Sequence, residues 1–540
     1  MDNECKWFSS IAWAIPALLF LSIVIISGAA AIKEGEGSLV YSLDDTYIHM
    51  AIAKNMARHG VWGVNSTGFN SASSSLLWTL LLSGAYWLFG VNNWTPFLLN
   101  VVFGMAILYI ADFYWRRFGA GILMRIVGGL GIIISVPLST LPLMGMEHSL
   151  HLFLTLWFAG LATEELLAGE LGEKERNRYM LPFLGALLGL SRYEGLFLIG
   201  IVALLLLCRK RFVRAFMTVA AAVLPLIGFS IISLLSNGFV LPNPVILKAA
   251  GPGLSLIKGL LRLPDKRDLL AWQQNPYFAF LLILGIALAL LTLVVHRKWR
   301  APGFLLPVFL VAMIFLHFHY GFSPSFWVYR YSAYLIAFGI FAVIAFFPGP
   351  WNFRGEWRSI AKIVAAVAVP VLVIGQAAEW QEGVFPRREL FGVRQNFLEH
   401  IGVAYFVRAI HPREPFVVND IGAVCFFCDT EMLDMFGLGN AEPLRFRKET
   451  LAREKAALDA WVRSKGSRIA ILQVQWQEIV PRIPDTWTKA GEVEMPVSGK
   501  KIGFFSLDRE TAGDLRRKLL SFYQVWWQPR GIRFELRPIS

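Results

Sequence analysis

The sequence predicts a polytopic α-helical membrane protein of about eleven spans, carrying a C-terminal extracytoplasmic α/β domain. Two observations predict it. The 540 residues are 56% hydrophobic and 14% aromatic but only 16% charged, with a mean hydropathy of +0.54, which is too apolar for the surface of a soluble domain of this length. Span-length apolar segments also recur until about residue 376, after which charges rise and apolar runs shorten. The net charge of +13 lies in short Lys/Arg clusters between apolar runs. These read as topology signals and leave no basic stripe for nucleic acid.

The first apolar run, 11–32, follows Lys6 and lacks a small-residue cleavage site, so it reads as a retained span. Further spans are expected near 95–114, 121–139, 148–165, 180–191, 194–208, 215–236, 277–295, 302–319, 331–348 and 360–376. The segment 75–90 is also apolar, but a crossing there would put Arg116, Arg117, Arg125 and Arg209 to Arg211 outside. It is therefore expected to be a surface or half-inserted helix. With that choice the clusters at 116–125, 174–178, 209–214, 297–300 and 354–362 face the cytoplasm. The loops 139–147 and 320–329, which lack Lys and Arg, fall outside. The N-terminus is then cytoplasmic and the C-terminus external.

This parity divides the chain into a membrane module, 1–379, with an external loop at 33–94, and an extracytoplasmic domain, 380–540. In the latter, Phe416 to Val418, Arg468 to Leu472 and Lys501 to Leu507 read as strands and Glu449 to Ser464 as a helix. Loop 237–275 is external, with an amphipathic piece, Leu254 to Leu263, expected at the interface. Asn65 and Asn93 stand in glycosylation sequons. Cys425 and Cys428 form a CFFC pair that lacks further zinc ligands, leaving a local disulfide or two buried thiols.

The stretch LVYSLDDTYIHMAIAKNMARHG, 39–60, starts a helix at adjacent carboxylates, Asp44 and Asp45. Ile48, Ile52 and Met56 recur four residues apart with Ala51 beside them, while Lys54 and Arg58 take another face. That pattern predicts an amphipathic helix on the bilayer surface. Helix capping alone accounts for one Asp. The topology, however, brings Asp44, Asp45, Glu147, Arg192, Glu194, Lys248 and Arg330 to one face of the membrane, where buried charges are costly without partners. Each has a simpler alternative: a helix-start acid for Glu147, an internal ion pair for Arg192 and Glu194, and headgroup anchoring for Lys248 and Arg330. His148 and His151 read as interfacial polar residues ahead of metal ligands, and the aromatics from Tyr320 to Tyr331, including Tyr329, as an interfacial belt ahead of a stacking surface for sugars or a polyisoprenoid tail.

An external site has no nucleotide sugars, so a glycosyl donor there carries its leaving group on the lipid as a phosphoprenyl ester. Phosphate beside Arg or Lys needs little acid assistance. The acceptor hydroxyl needs a base, which an Asp supplies. In-line attack with inversion at the anomeric carbon follows. A transporter or flippase of lipid-linked sugars is the competing reading. It accounts for internal charges but not for a helix topped by paired acids, and it often shows an internal repeat, which this sequence lacks.

The runs LDDTYIHMAIAKNMARHGVW, SSSLLWTLLL, GMEHSL, SRYEG, LPNPVILKA, VYRYSAYL and VVNDIGAVCFFCDTEMLDMFGLGN, in that order, resemble the C-type (GT-C) membrane glycosyltransferases. Within these the likeness is to the branch containing mycobacterial terminal arabinofuranosyltransferases. Ser75, where relatives often carry Pro, and Arg192-Tyr193, where an Arg-Pro pair is expected, depart from the pattern. The resemblance implies a GT-C-like fold in a bacterial plasma membrane, acting on a polyprenyl-phosphate-linked sugar such as arabinofuranose and a glycan, lipid or protein acceptor. It implies Asp44 as catalytic base, with Asp45 tuning it or holding a divalent cation (Mg, Mn or Ca). It also implies substrate contacts from Glu147, His148, Arg192, Glu194, Asn243, Lys248, Tyr329 and Arg330, with Lys248 and Arg330 on the donor phosphate.

Overall fold

The structure, a computed structural model, describes residues 2–136, 138–167, 179–248, 276–296, 301–319, 330–346, 387–410, 413–447, 449–496 and 498–535. Outside them lie the expected span 360–376, the loop 320–329 with Tyr329, the piece Leu254 to Leu263 and the boundary at 379/380.

Helices fill the first part of the chain: α1 (Asp2–Glu34), α2 (Asp45–His59), α3 (Leu76–Phe89), α4 (Thr95–Arg117), α5 (Ile122–Ser135), α6 (Leu141–Met144), α7 (His148–Leu167), α8 (Met180–Ser191), α9 (Gly195–Cys208), α10 (Phe212–Leu235) and α11 (Asn243–Lys248). Three more follow at Pro276–His296, Pro302–His319 and Ala333–Phe346. Among the described residues, six helices are long and apolar enough to cross a membrane, and five further apolar helices are shorter. Every expected span within the described residues coincides with a helix. The reason is local: an apolar run in lipid must satisfy its own backbone hydrogen bonds, and the helix does so within the segment.

Glycines let these helices approach closely. A Cβ on Gly160 of α7 would lie 2.4 Å from the Tyr114 ring of α4, and one on Gly104 of α4 would lie 2.3 Å from Phe20 of α1. Charge inside the bundle is paired, as in the bidentate contact of Arg125 with Asp112, both bonds 2.7 Å.

The helix α2 differs from expectation. Thr46 through Asn55 are buried without a break, so it is no surface amphipath. It lies between α3 and the short helix Gly422–Phe427 of the C-terminal domain. Its Lys54 face is covered by protein: the ammonium donates to the carbonyls of Phe426 at 2.8 Å and Cys425 at 3.2 Å.

The C-terminal part is α/β. Its six-stranded sheet has the order β2-β1-β3-β5-β4-β6, from β1 (Phe416–Val418), β2 (Met432–Asp434), β3 (Ile469–Gln473), β4 (Thr488–Glu494), β5 (Lys501–Ser506) and β6 (Arg533–Glu535). β1 runs parallel to β2 and β3, while β5, β4 and β6 add antiparallel. The expected strands and helix are present, the helix as Leu451–Ser464. β2, β4 and β6 were not foreseen. Val417, Leu433, Leu458, Val462, Ala470 and Phe505 form a core of their own between the sheet and Leu451–Ser464. Cys425 and Cys428 are free, buried thiols; burial raises both, Cys428 to about 12. That agrees with the buried-thiol alternative.

Candidate functional site

Five of the predicted charges converge. Asp45, first residue of α2, accepts a hydrogen bond from Arg330 Nη2 at 3.0 Å, with the Arg330 side chain 6% exposed and that of Asp45 40%. Arg330 also donates to the Tyr331 hydroxyl at 2.8 Å and lies over that ring at 4.7 Å. Arg192 approaches the same ring, 5.2 Å from its centroid, so Tyr331 is in cation–π contact with two guanidiniums.

Behind this pair lies a buried triad. Arg192, in the break between α8 and α9, donates two bonds to Glu194, at 2.6 and 3.2 Å, and one to Glu147. The sequence SRYEG produces this because the chain leaves the helix at Arg192, extended at φ −161° and ψ 148°, and restarts at Gly195 with Glu194 as N-cap. The internal ion pair considered for Arg192 and Glu194 is thus present, and Glu147 joins it. Glu147 precedes α7, where carboxylates favour the positive helix end. It also lies 3.7 Å from His49 Nε2 and accepts from Ser74 at 3.4 Å. His49 is one turn beyond Asp45 on α2, so one helix face carries both toward this cluster. His148 packs edge-on against Tyr331, ring centroids 5.6 Å apart.

The other predicted residues are placed differently. Asp44 points to the C-terminal domain, accepting N–H bonds from Gly422 at 2.6 Å and Ala423 at 2.7 Å. Asp420 and His400 complete a group whose ligand-type atoms lie within 4.8 Å of one another. Burial and the neighbouring Asp420 carboxylate push Asp44 well above its usual range. Burial alone would lower His400, but the carboxylates of Asp420, Asp44 and Glu399 outweigh it and raise the imidazole to about 10. Asn243 joins α11 to the C-terminal part, its amide donating to the Leu438 carbonyl at 2.9 Å and its backbone N–H to the Ser71 carbonyl at 3.0 Å. Lys248 ends α11, and its side chain lies outside the description. Asp45 is not in the one group among the described residues able to hold a metal ion; it is engaged by Arg330 instead.

Sequence reasoning missed His49, Ser74, Asp420 and His400. The first had a readable signal in its four-residue offset from Asp45. Asp420 lies inside the quoted VVNDIGAV run, whereas His400 carries none.

A domain of unknown function (DUF8728) matches residues 392–518, the C-terminal α/β portion. No curated protein matches the chain. Similar solved structures include ArnT from Cupriavidus metallidurans bound to undecaprenyl phosphate, at 14% identity and a TM-score of 0.49, covering 91% of this chain and 98% of that one. Another is the oligosaccharyltransferase AglB from Archaeoglobus fulgidus in complex with an inhibitory peptide and a dolichol-phosphate. There the identity is 11% and the TM-score 0.48, with 91% of this chain and 74% of that one covered.

Proposed function

We propose that this chain is an inverting glycosyltransferase, moving a sugar from a polyprenyl-phosphate donor to a glycan, lipid or protein acceptor on the extracytoplasmic face of a bacterial plasma membrane. A membrane module, 1–379, carries the chemistry and the domain 380–540 stands over it. Arabinofuranose is the sugar the sequence resemblance points to.

The observation that carries this reading is the ion pair between partly exposed Asp45 and buried Arg330, backed by the Glu147–Arg192–Glu194 triad. A guanidinium at that depth is suited to a lipid-borne phosphate, because it presents two N–H groups to an oxyanion where water is scarce. Donor phosphate binding at Arg330 competes with Asp45 for the guanidinium and frees the carboxylate. Asp45 then takes the proton of the acceptor hydroxyl as that oxygen bonds to the anomeric carbon. The bond from that carbon to the phosphate oxygen breaks, the configuration inverts, and polyprenyl phosphate leaves with the negative charge held by Arg330. The base is Asp45 rather than Asp44, because Asp44 is occupied by two backbone N–H groups of the C-terminal domain. The triad holds Arg192 against Tyr331 and so fixes the ring on which Arg330 rests.

The test uses purified full-length protein with a synthetic polyprenyl-phosphoryl arabinofuranose and an arabinan acceptor. Asp45→Asn is expected to lower transfer about 10²–10⁴-fold while retaining donor binding, and Asp44→Asn to retain measurable transfer. Undiminished transfer by Asp45→Asn removes the base assignment. Lipid movement across a bilayer without transfer replaces the enzyme with a flippase.

A further inference from the structure

The cluster joining α2 to the C-terminal domain is not used in that chemistry, and its hydrogen bonds do not close. Asn396 Nδ2 donates to the Tyr41 carbonyl at 2.9 Å, which fixes the amide and turns its Oδ1 to His400 Nδ1 at 2.7 Å. Nδ1 therefore carries a hydrogen, and the open question is what lies at Nε2. That atom is 2.8 Å from Asp420 Oδ2 and also 2.8 Å from Gln473 Nε2. Gln473 Nε2 in turn approaches Asp420 Oδ2 at 3.0 Å and Glu399 Oε1.

With every carboxyl ionised, no placement of protons satisfies these contacts. A hydrogen on His400 Nε2 serves Asp420 but opposes the Gln473 amino group. A bare Nε2 accepts from Gln473 but sets a lone pair against a carboxylate. Turning the Gln473 amide over sets its oxygen against two carboxylates. The carboxyls of Asp44, Asp420 and Glu399 face two cationic side chains among the described residues, His400 and Lys500, whose Nζ is 3.3 Å from Glu399. A dication between Nε2 and Asp420 Oδ2 removes both conflicts. Nε2 and Asp420 each direct a lone pair at it, and Gln473 keeps its two hydrogens for Glu399 and Asp420.

We infer that Asp44, Asp420 and His400 Nε2 form a binding site for a divalent transition-metal ion, Zn²⁺ or Mn²⁺, at the seam between α2 and the C-terminal domain. One imidazole and two carboxylates are the donor set such ions take. The three ligand atoms lie within 4.8 Å of one another, whereas two metal–ligand bonds of about 2.1 Å span about 4.2 Å; a small side-chain rotation closes the site. Asn396 is the outer partner that ligating histidines ordinarily have on their other nitrogen. Asp44 immediately precedes Asp45, so an ion here ties the proposed base to the C-terminal domain.

The full chain in detergent, stripped with chelator, is titrated with Zn²⁺ or Mn²⁺. The expected result is one equivalent per chain by elemental analysis after dialysis, a raised unfolding temperature, and no equivalent effect of Mg²⁺. His400→Ala is expected to bind only background metal, and Asn396→Ala to bind about 10- to 100-fold more weakly. A second readout needs no variant: Mn²⁺ bound to the wild-type chain is expected to show magnetic coupling to an imidazole nitrogen by pulsed electron paramagnetic resonance. Absence of stoichiometric metal, unchanged uptake by His400→Ala, or bound Mn²⁺ without nitrogen coupling overturns the assignment. None of these measurements requires sugar transfer, so the site stands or falls apart from the proposed reaction.

Discussion

Asp44 and Lys54 hold opposite ends of one helix, Gly422–Phe427. The carboxylate of Asp44 accepts from Gly422 N–H and Ala423 N–H at its start, and the ammonium of Lys54 donates to the carbonyls of Cys425 and Phe426, with Cys428 at 3.5 Å, at its end. Each charge meets the helix end of opposite polarity. Together they satisfy backbone groups that a six-residue helix leaves open at both termini. The proposed catalytic helix and the C-terminal domain are therefore joined by charge-assisted hydrogen bonds at two points.

Lys54→Met is expected to weaken that junction. Its stem occupies the same volume, so packing changes little, but buried carbonyls lose their donor. Leaving such groups unsatisfied costs about 1–3 kcal/mol. Hydrogen exchange of the Gly422–Phe427 amides, measured against the wild type, is expected to accelerate. Unchanged exchange would make Lys54 a bystander.

The same junction makes Gly422 intolerant of any side chain. A Cβ there would lie 2.0 Å from the Asp44 carbonyl oxygen and 2.5 Å from its Oδ2, distances that require backbone movement. Gly422→Ala is expected to lower the unfolding temperature and to reduce proposed transfer along with it. Gly513→Ala, where a Cβ meets nothing within 4 Å, is expected to do neither. Comparing the two by thermal unfolding separates the clash from a generic loss of glycine.

Much of this arrangement was legible in the sequence, and the boundary of what was legible is physical. Apolar runs locate helices because the signal lies within each segment. The convergence of Asp45, Glu147, Arg192, Glu194 and Arg330 was legible because charges at membrane depth need partners and topology limits where those come from. The roles of Asp44 and Asp45 were not. Successive residues on a helix point about 100° apart, and which carboxylate meets Arg330 depends on a helix hundreds of residues further on. Lys54 read as a solvated face for the same reason, since the protein covering it comes from CFFC. β4, with sequence TKAGEVE, gave little strand signal because its charged residues pair along the sheet, Glu492 with Lys489 and Lys501. β2 and β6 are three residues each, MLD and RFE, and lack the unbroken strand-forming run that marks the equally short β1, FVV.

Arg192 serves two carboxylates, Glu147 and Glu194, both essentially buried. Removing the guanidinium strands two negative charges away from water. Arg192→Met is expected to destabilise the fold by about 3–5 kcal/mol or more, because breaking a buried pair leaves its partner uncompensated. Arg192→Lys is expected to recover only part of this, since one ammonium cannot reproduce the two-pronged contact with Glu194 while reaching Glu147. Detergent-resistant unfolding temperatures in the order wild type, Lys, Met check the claim. Equal values for Lys and wild type would show that charge alone suffices.

Glu36 gives the link between the α1–α2 connection and the C-terminal domain a pH dependence. Its carboxylate receives Arg530, Nη2 at 2.6 Å, and Arg394, Nη1 at 3.0 Å. Partial burial raises its pKa, but the two guanidiniums outweigh that and leave it lowered. A carboxylate whose pKa is depressed by folding contributes stability above its unfolded value, 4.5, and that contribution is lost as the pH falls through the folded value. Contact between 33–38 and the C-terminal residues 526–530 is therefore expected to persist at neutral pH and to loosen below about pH 4.5. In Glu36→Gln the contact is expected to be weaker at neutral pH, with the acid-dependent step gone. The exposure of Glu36 makes the effect small and sensitive to salt, so the measurement is hydrogen exchange of residues 523–531 at low ionic strength across pH 3 to 7. An acid step of the same size in Glu36→Gln would assign the transition to another carboxylate.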